Sequence, residues 1–158
     1  MMVKSNFKRM IQLSDEVFSS RIDPDQLNVN EKVMEHLQRI HPDTISEYDD
    51  GNGPVCWILC IPSTLELMHQ FVNQQISEKE LYNLTPLNIK YETIYLCSAL
   101  LLEEFRGKGI AQGIAIKAIE SIKIDHPIKA LFLWAFSKEG EKLAEKVARL
   151  TCLPLYKR

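Results

Sequence analysis

Two hydrophobic rhythms alternate along the chain. Val29, Val33, Leu37 and Ile40 recur at the three- and four-residue spacing of one helix face, and His41-Pro42 then stops the pattern, so a helix is predicted over Val29–Ile40. An earlier helix fits Phe7–Ser20. Asp43–Asp50 reads as a weak strand, and the cluster Asp49-Asp50-Gly51-Asn52-Gly53-Pro54 is turn chemistry. The apolar run Val55–Ile61 follows it, so the two segments form a predicted antiparallel hairpin. Ser63-Thr-Leu-Glu66 and Ser77-Glu-Lys-Glu80 both have the form of a capping box, in which a hydroxyl and a carboxylate satisfy free amides at a helix start. They predict helices over Thr64–Gln74 and Glu78–Leu84.

Beyond Pro86 the rhythm changes. Ile94–Leu102 is almost continuously apolar and far short of the roughly 18 residues a membrane span needs, which suits a central strand buried on both faces. A short polar segment with two glycines follows. Next comes a helix whose Ile110, Ala111, Ile114, Ala115, Ala118, Ile119 and Ile122 share one face. Ala130–Phe136 is a further buried strand, Lys138–Leu150 an amphipathic helix with Leu143, Val147 and Leu150 inward, and Leu153–Lys157 a short last strand. Strands alternating with helices predict an α/β fold. With 158 residues, no repeat and no Gly/Ser linker, residues 1–158 form a single domain.

Composition narrows the function. Hydrophobic residues make up 46% and charged residues 25%, enough for a packed core. The net charge of −2 argues against a dedicated nucleic-acid or membrane-surface binder, so neither is expected as a partner. The charge is nevertheless uneven: residues 1–90 sum to −5 and residues 91–158 to +3, a polarity that suits an anionic ligand on the second half and a cationic one on the first. Cys56, Cys60, Cys97 and Cys152 include no C-x-x-C pair, and three sit in apolar runs. With no apolar leader after the basic MMVKSNFKRM, they indicate a reducing, cytoplasmic setting. His36, His41, His69 and His126 follow no metal-ligand spacing, so no metal is expected.

The chemistry points to Glu103-Glu-Phe-Arg-Gly-Lys-Gly-Ile-Ala111. Gly107 and Gly109 flank Lys108 between a buried strand and a helix, where positive φ and close approach to main-chain amides become possible. The helix start adds unpaired N–H groups and the positive dipole end. Arg106 and Lys108 contribute two positive charges, so the turn reads as a phosphate or pyrophosphate site. It is not a P-loop, because Lys108 is followed by Gly109 and no hydroxyl residue stands ready for magnesium. Gly107-Lys-Gly109-Ile-Ala-Gln-Gly113 loosely matches a dinucleotide fingerprint, but only 45 residues remain after Gly113, too few for the second half of such a sheet.

Arg106-Gly107-Lys108-Gly109-Ile110-Ala111 resembles the Q/R-x-x-G-x-G/A signature of the GNAT superfamily of acetyl-coenzyme A dependent N-acetyltransferases, at the same strand-to-helix junction. The likeness extends over residues 94–136, with Phe105 where a Tyr or Phe precedes the Arg, and more loosely over 137–152. It implies a GNAT-type mixed, twisted sheet of about six strands with helices on both faces. It also implies transfer of an acetyl group from acetyl-CoA to the primary amine of a small molecule or peptide, by direct attack. A coenzyme A sensor or scaffold of the same fold without turnover is the alternative.

The resemblance places the coenzyme pyrophosphate on Arg106, Gly107, Lys108, Gly109, Ile110, Ala111 and Gln112. It places the pantetheine arm along the backbone of Ala99, Leu100 and Leu101, one of whose N–H groups would polarise the thioester carbonyl. The last helix departs from the family. Gly140 stands where many members have Asn, and Val147 where they have the Tyr that protonates the departing thiolate. Tyr156 and Tyr95 are candidate replacements for that acid. Glu92 is the candidate base, one residue from where some members carry a catalytic Glu, an offset that reverses the strand face unless a bulge intervenes. The resemblance further leaves Leu153–Tyr156 as a sheet edge that a second subunit of a homodimer could cover. The helices over 64–84, uncommon in the family, could wall the acceptor pocket.

Overall fold

Side-chain caps and apolar faces divide the chain close to where the patterning predicts, except that the strand expected over Ala130–Phe136 stops at Leu133 and Leu150, expected to face inward, is exposed. A computed structural model describes residues 5–20 and 31–158. In chain order they form α1 (Asn6–Ser20), α2 (Glu31–Ile40), β1 (Ile45–Asp49), β2 (Pro54–Ser63), α3 (Leu65–Val72), α4 (Glu78–Leu84), β3 (Thr93–Leu101), α5 (Ile110–Asp125), β4 (Ala130–Leu133), α6 (Lys138–Thr151) and β5 (Leu155–Lys157). The expected start of α2 at Val29 lies outside the described residues. The Ser77 box is complete: Ser77 Oγ accepts from Glu80 N–H at 3.1 Å, and Glu80 Oε1 accepts from Ser77 N–H at 3.1 Å. The other box is not formed. Thr64 caps α3 instead, its Oγ1 accepting from Leu67 N–H at 3.1 Å, because Ser63 is the last residue of β2 and its hydroxyl is buried against Thr85 at 3.0 Å.

The strands form one mixed sheet in the order β1-β2-β3-β4-β5. β2 runs antiparallel to β1 and β3, and β4 runs parallel to β3 and β5. The described residues hold five strands rather than about six, because each apolar run supplies one strand and none divides. Helices cover both faces. Trp57 meets Phe7 of α1 edge-on, whereas Ile58 points the opposite way and shares a cavity wall with Ala115 of α5. On the α1 face, Phe71 of α3 packs its ring on Tyr95 of β3 and Phe132 of β4 at 5.1 and 5.8 Å, and Tyr95 stacks on Phe132 at 5.1 Å. All three aromatic rings are buried.

One edge of the sheet is guarded. β5 is an edge of three residues, and Lys157 on it reaches Glu141 and Glu145 of α6 at 2.8 and 3.2 Å. Among the described residues no helix is long and apolar enough to cross a membrane. All four cysteines are free, three of them buried, and burial pushes the Cys60 thiol up to about 12 and that of Cys56 to about 11.

One latch joins residues far apart in sequence. His41 is buried, accepts at Nδ1 from Asp43 N–H at 3.0 Å, and lies 2.7 Å through Nε2 from Asp125 Oδ2 at the end of α5. With Nδ1 accepting, Nε2 carries the proton and donates it. That hydrogen bond holds the Asp125 carboxyl below its ordinary range. His126 lies 5.8 Å from His41 and accepts at Nδ1 from Tyr91 N–H at 3.2 Å. Burial, then the charge of His41 when it is protonated and that of Lys90, lower its pKa from 6.5.

A lowered histidine pKa means that the unfolded chain binds the proton more readily. The stability His126 contributes is therefore complete above pH 6.5 and is lost as the pH falls below it toward the folded pKa. Melting temperatures measured from pH 8 to pH 5 should fall on the acid side. His126→Asn, which keeps an acceptor for Tyr91 and cannot titrate, should flatten that fall. An equal fall in both proteins would place its origin elsewhere.

Candidate functional site

The site begins where two strands part. β4 pairs with β3 only through Thr93, Ile94 and Tyr95, opposite Ala130, Leu131 and Phe132. Beyond Tyr95, β3 continues to Leu101 beside β2 alone, while the chain after Leu133 turns toward α6. In an antiparallel pair, main-chain groups point alternately toward and away from the partner strand. Leu102 N–H donates to Val55 O at 3.0 Å, so Leu100 also faces β2, and the N–H and C=O groups of Ala99 and Leu101 face the open edge. The Leu101 carbonyl accepts from Arg106 Nε at 3.4 Å. Of the three residues expected to line the coenzyme arm, Ala99 and Leu101 thus present their backbone outward, and Leu100 is committed to the sheet.

A β-bulge adjusts this stretch. Leu59 pairs with Ser98 but Cys60 with Leu96, so Cys97 is the extra residue. The bulge therefore sits five residues past Glu92. Such an irregularity arises from cross-strand register, and no local signal in Leu96-Cys97-Ser98 announces it.

Between the parted strands lies a cavity of about 120 Å³. Ile58 and Cys60 of β2 and Leu96 to Ala99 of β3 form one wall. The segment Leu133 to Ser137 forms the other, and Ala115 of α5 with Gly140, Leu143, Ala144 and Val147 of α6 forms the floor. The two positions that depart from the family pattern, Gly140 and Val147, thus both line it. Among the described residues no carboxyl, imidazole or phenol stands on these walls, which do carry the thiols of Cys60 and Cys97. Ser137 Oγ accepts from Gly140 N–H at 3.0 Å as the cap of α6, and Ser98 Oγ is buried with no hydrogen-bond partner among the described residues.

The glycine turn adjoins the far end of β3. Gly107 and Gly109 take φ values of 76° and 77°, the left-handed region, and Gly109 occupies the N-cap position of α5. A Cβ built on either would meet nothing within 4 Å, so the space before the helix start is open. Gly109 brings no side-chain cap, and the first-turn amides of Ile110, Ala111 and Gln112 come without intrahelical partners. Arg106 and Lys108 are exposed, with Lys108 Nζ 5.5 Å from the centre of the Phe105 ring. Glu104 is drawn away to Arg9 of α1 at 2.5 Å. That hydrogen bond holds the Glu104 carboxyl below its ordinary range and raises the Arg9 guanidinium above its own. The turn can therefore offer amides and two cations to an anion.

The three candidate proton carriers lie elsewhere. Tyr95 points into the α3–α4 side, where its hydroxyl donates to Glu78 Oε2 at 2.5 Å and its ring is core. Tyr156 is 41% exposed on β5, against His69 at 6.1 Å, and is not on the cavity wall. Glu92 forms an ion pair with Lys129 at 2.9 Å, four residues and about 13 Å of extended strand before Leu96. The structure thus joins Ala99, Leu101 and the turn Arg106–Gln112 along one edge and leaves Tyr95, Tyr156 and Glu92 outside it.

No family model matches the chain, and no curated protein sequence matches it. Among solved structures it is similar to an aminoglycoside acetyltransferase from an uncultured soil metagenomic sample, solved in complex with sisomicin. That similarity has 16% identity and a TM-score of 0.47, and covers 92% of this chain and 78% of that one. It is also similar to a tetramutant of the BH1408 protein from Bacillus halodurans, with 16% identity and a TM-score of 0.47, over 95% of this chain and 92% of that one.

Proposed function

We propose that this protein is an N-acyltransferase of the GNAT type, transferring an acetyl group from acetyl-CoA to a primary amine. The observation that carries the reading is the parting of β3 from β4 beside the glycine turn. It leaves the outward main-chain groups of Ala99 and Leu101 as a half-strand, in line with the anion-accepting start of α5. A pantetheine arm, with its two amides, can add to that edge as a strand would, while the turn receives the pyrophosphate. An outward N–H of β3 then donates to the thioester carbonyl, where negative charge develops. The amine nitrogen bonds to the carbonyl carbon, the carbon–sulfur bond breaks with its electron pair going to sulfur, and the ammonium proton leaves to water. The thiolate departs unaided or takes a proton from water, since among the described residues no carboxyl, imidazole or phenol lines the wall.

That same lack of proton-transfer groups favours a second reading, a coenzyme sensor that binds without turnover. Thermal melting tests the shared part: acetyl-CoA at about 100 times its Kd should stabilise the protein by about 2.7 kcal/mol, and ATP or NADPH much less. Preferential stabilisation by NADPH would replace the coenzyme A reading with a dinucleotide one. Release of free thiol in a panel of polyamines, aminoglycosides and peptides separates the two. Tight binding with no thiol above background identifies the sensor.

A further inference from the structure

The cavity between the parted strands is larger and more apolar than a two-carbon cargo requires. Its floor and far wall are built from small or aliphatic residues, among them Ala135, Gly140, Ala144 and Val147, and from Trp134 and Phe136, whose rings lie 4.4 Å apart. Apolar cavities of about 150 Å³ stay dry and take a six-carbon ring. A space of 120 Å³ therefore has room for several carbons beyond a carbonyl. Its polar equipment is sparse. The Ser137 hydroxyl caps α6, leaving the Ser98 hydroxyl on the β3 wall, without a partner among the described residues, and the weakly polar thiols of Cys60 and Cys97. A polyol or a cationic chain would find nothing there to replace its water, and burying it unpaired would be costly. An unbranched acyl chain carries one carbonyl and is otherwise hydrocarbon, which matches walls of this chemistry.

We infer that this cavity is an acyl chamber, and that it admits saturated chains of about three to six carbons as well as acetyl and holds them more tightly. The inference rests on the coenzyme A reading above and specifies its cargo. The transfer itself is unchanged: the same carbon–sulfur bond breaks and the same amide forms, while the chain beyond the carbonyl lies over Ala144 and Val147. These two residues on α6 set the depth of the chamber, Ala144 by its lack of bulk and Val147 by its two methyl groups.

Calorimetric titration of the full chain with free coenzyme A and its acetyl, butyryl and hexanoyl thioesters tests this. Each further buried methylene should tighten binding about threefold or more, so butyryl-CoA should bind about tenfold tighter than acetyl-CoA. Ala144→Leu fills the chamber from its floor. It should cancel that preference and leave the affinity for free coenzyme A unchanged. Should the larger residue prevent folding, Val147→Ile, which adds one carbon, should reduce the hexanoyl affinity more than the butyryl or acetyl affinity. Butyryl and hexanoyl thioesters that bind no tighter than acetyl-CoA, or a preference that survives filling of the chamber, overturn the inference while the coenzyme reading stands. Failure of free coenzyme A and every thioester to bind overturns the coenzyme reading and this inference together.

Discussion

Replacing Phe71 by alanine is expected to destabilise the protein by about 3–5 kcal/mol, a large part of the 5–15 kcal/mol that typically holds a domain together. Phe71 is fully buried, and its ring touches Tyr95, Phe132 and, at 6.2 Å, Trp134. On the remaining side the Arg158 guanidinium lies 4.5 Å from the ring centre and 4.7 Å from that of Trp134, and donates to the carbonyl of Ile76 at 2.7 Å. Truncation thus opens a void at the one place where α3, the middle of the sheet and the last residue meet. Urea unfolding measures the loss. A companion change at Leu150, which is 51% exposed, should alter stability by no more than about 0.5 kcal/mol. A loss below about 1 kcal/mol at Phe71 would show that the surrounding rings close the gap without cost.

Gly109→Asp should weaken coenzyme A binding at least tenfold, about 1.4 kcal/mol. The new side chain meets no protein atom within 4 Å, and Asp enters the left-handed region more readily than most residues, so the fold should survive. The loss would come from a carboxylate in the space a pyrophosphate would occupy, opposing both the ligand's charge and its approach to the amides of α5. Calorimetry on the folded variant gives the affinity directly. An unchanged value would mean that the anion does not bind at this turn.

The parts of the molecule legible from the sequence are those whose causes are local. The Ser77–Glu80 box and the apolar run of β3 depend on residues within a few positions, and so does the glycine pair before α5. Each forms as read. What escaped reading depends on partners far along the chain. The cap of α3 moves from Ser63 to Thr64 because Thr85, 22 residues on, holds the Ser63 hydroxyl. The latch between His41 and Asp125 spans 84 residues, so nothing near either residue announces it. The same holds for the candidate site. The turn could be found by its composition, but the parting of β3 and β4 depends on where a ladder stops, and the direction of a tyrosine depends on its strand's neighbours. Tyr95 and Tyr156 carry the right chemistry, and only the sheet registers show that they face α4 and solvent.

That no described residue brings a carboxyl, imidazole or phenol to the cavity walls also makes the acceptor readable from kinetics. The remaining ionisable wall groups are the thiols of Cys60, pushed up to about 12, and Cys97, so in a Cys97→Ser protein the nucleophile is the one species left whose ionisation shapes the rate. Under the acyl-transfer reading, the curve of kcat/KM against pH then belongs to the acceptor: a rise levelling near pH 8 marks the α-amine of a peptide, and one still climbing toward pH 10 marks a lysine-like alkylamine. The plain walls that obscure the catalytic residues would make the unknown substrate report its own identity.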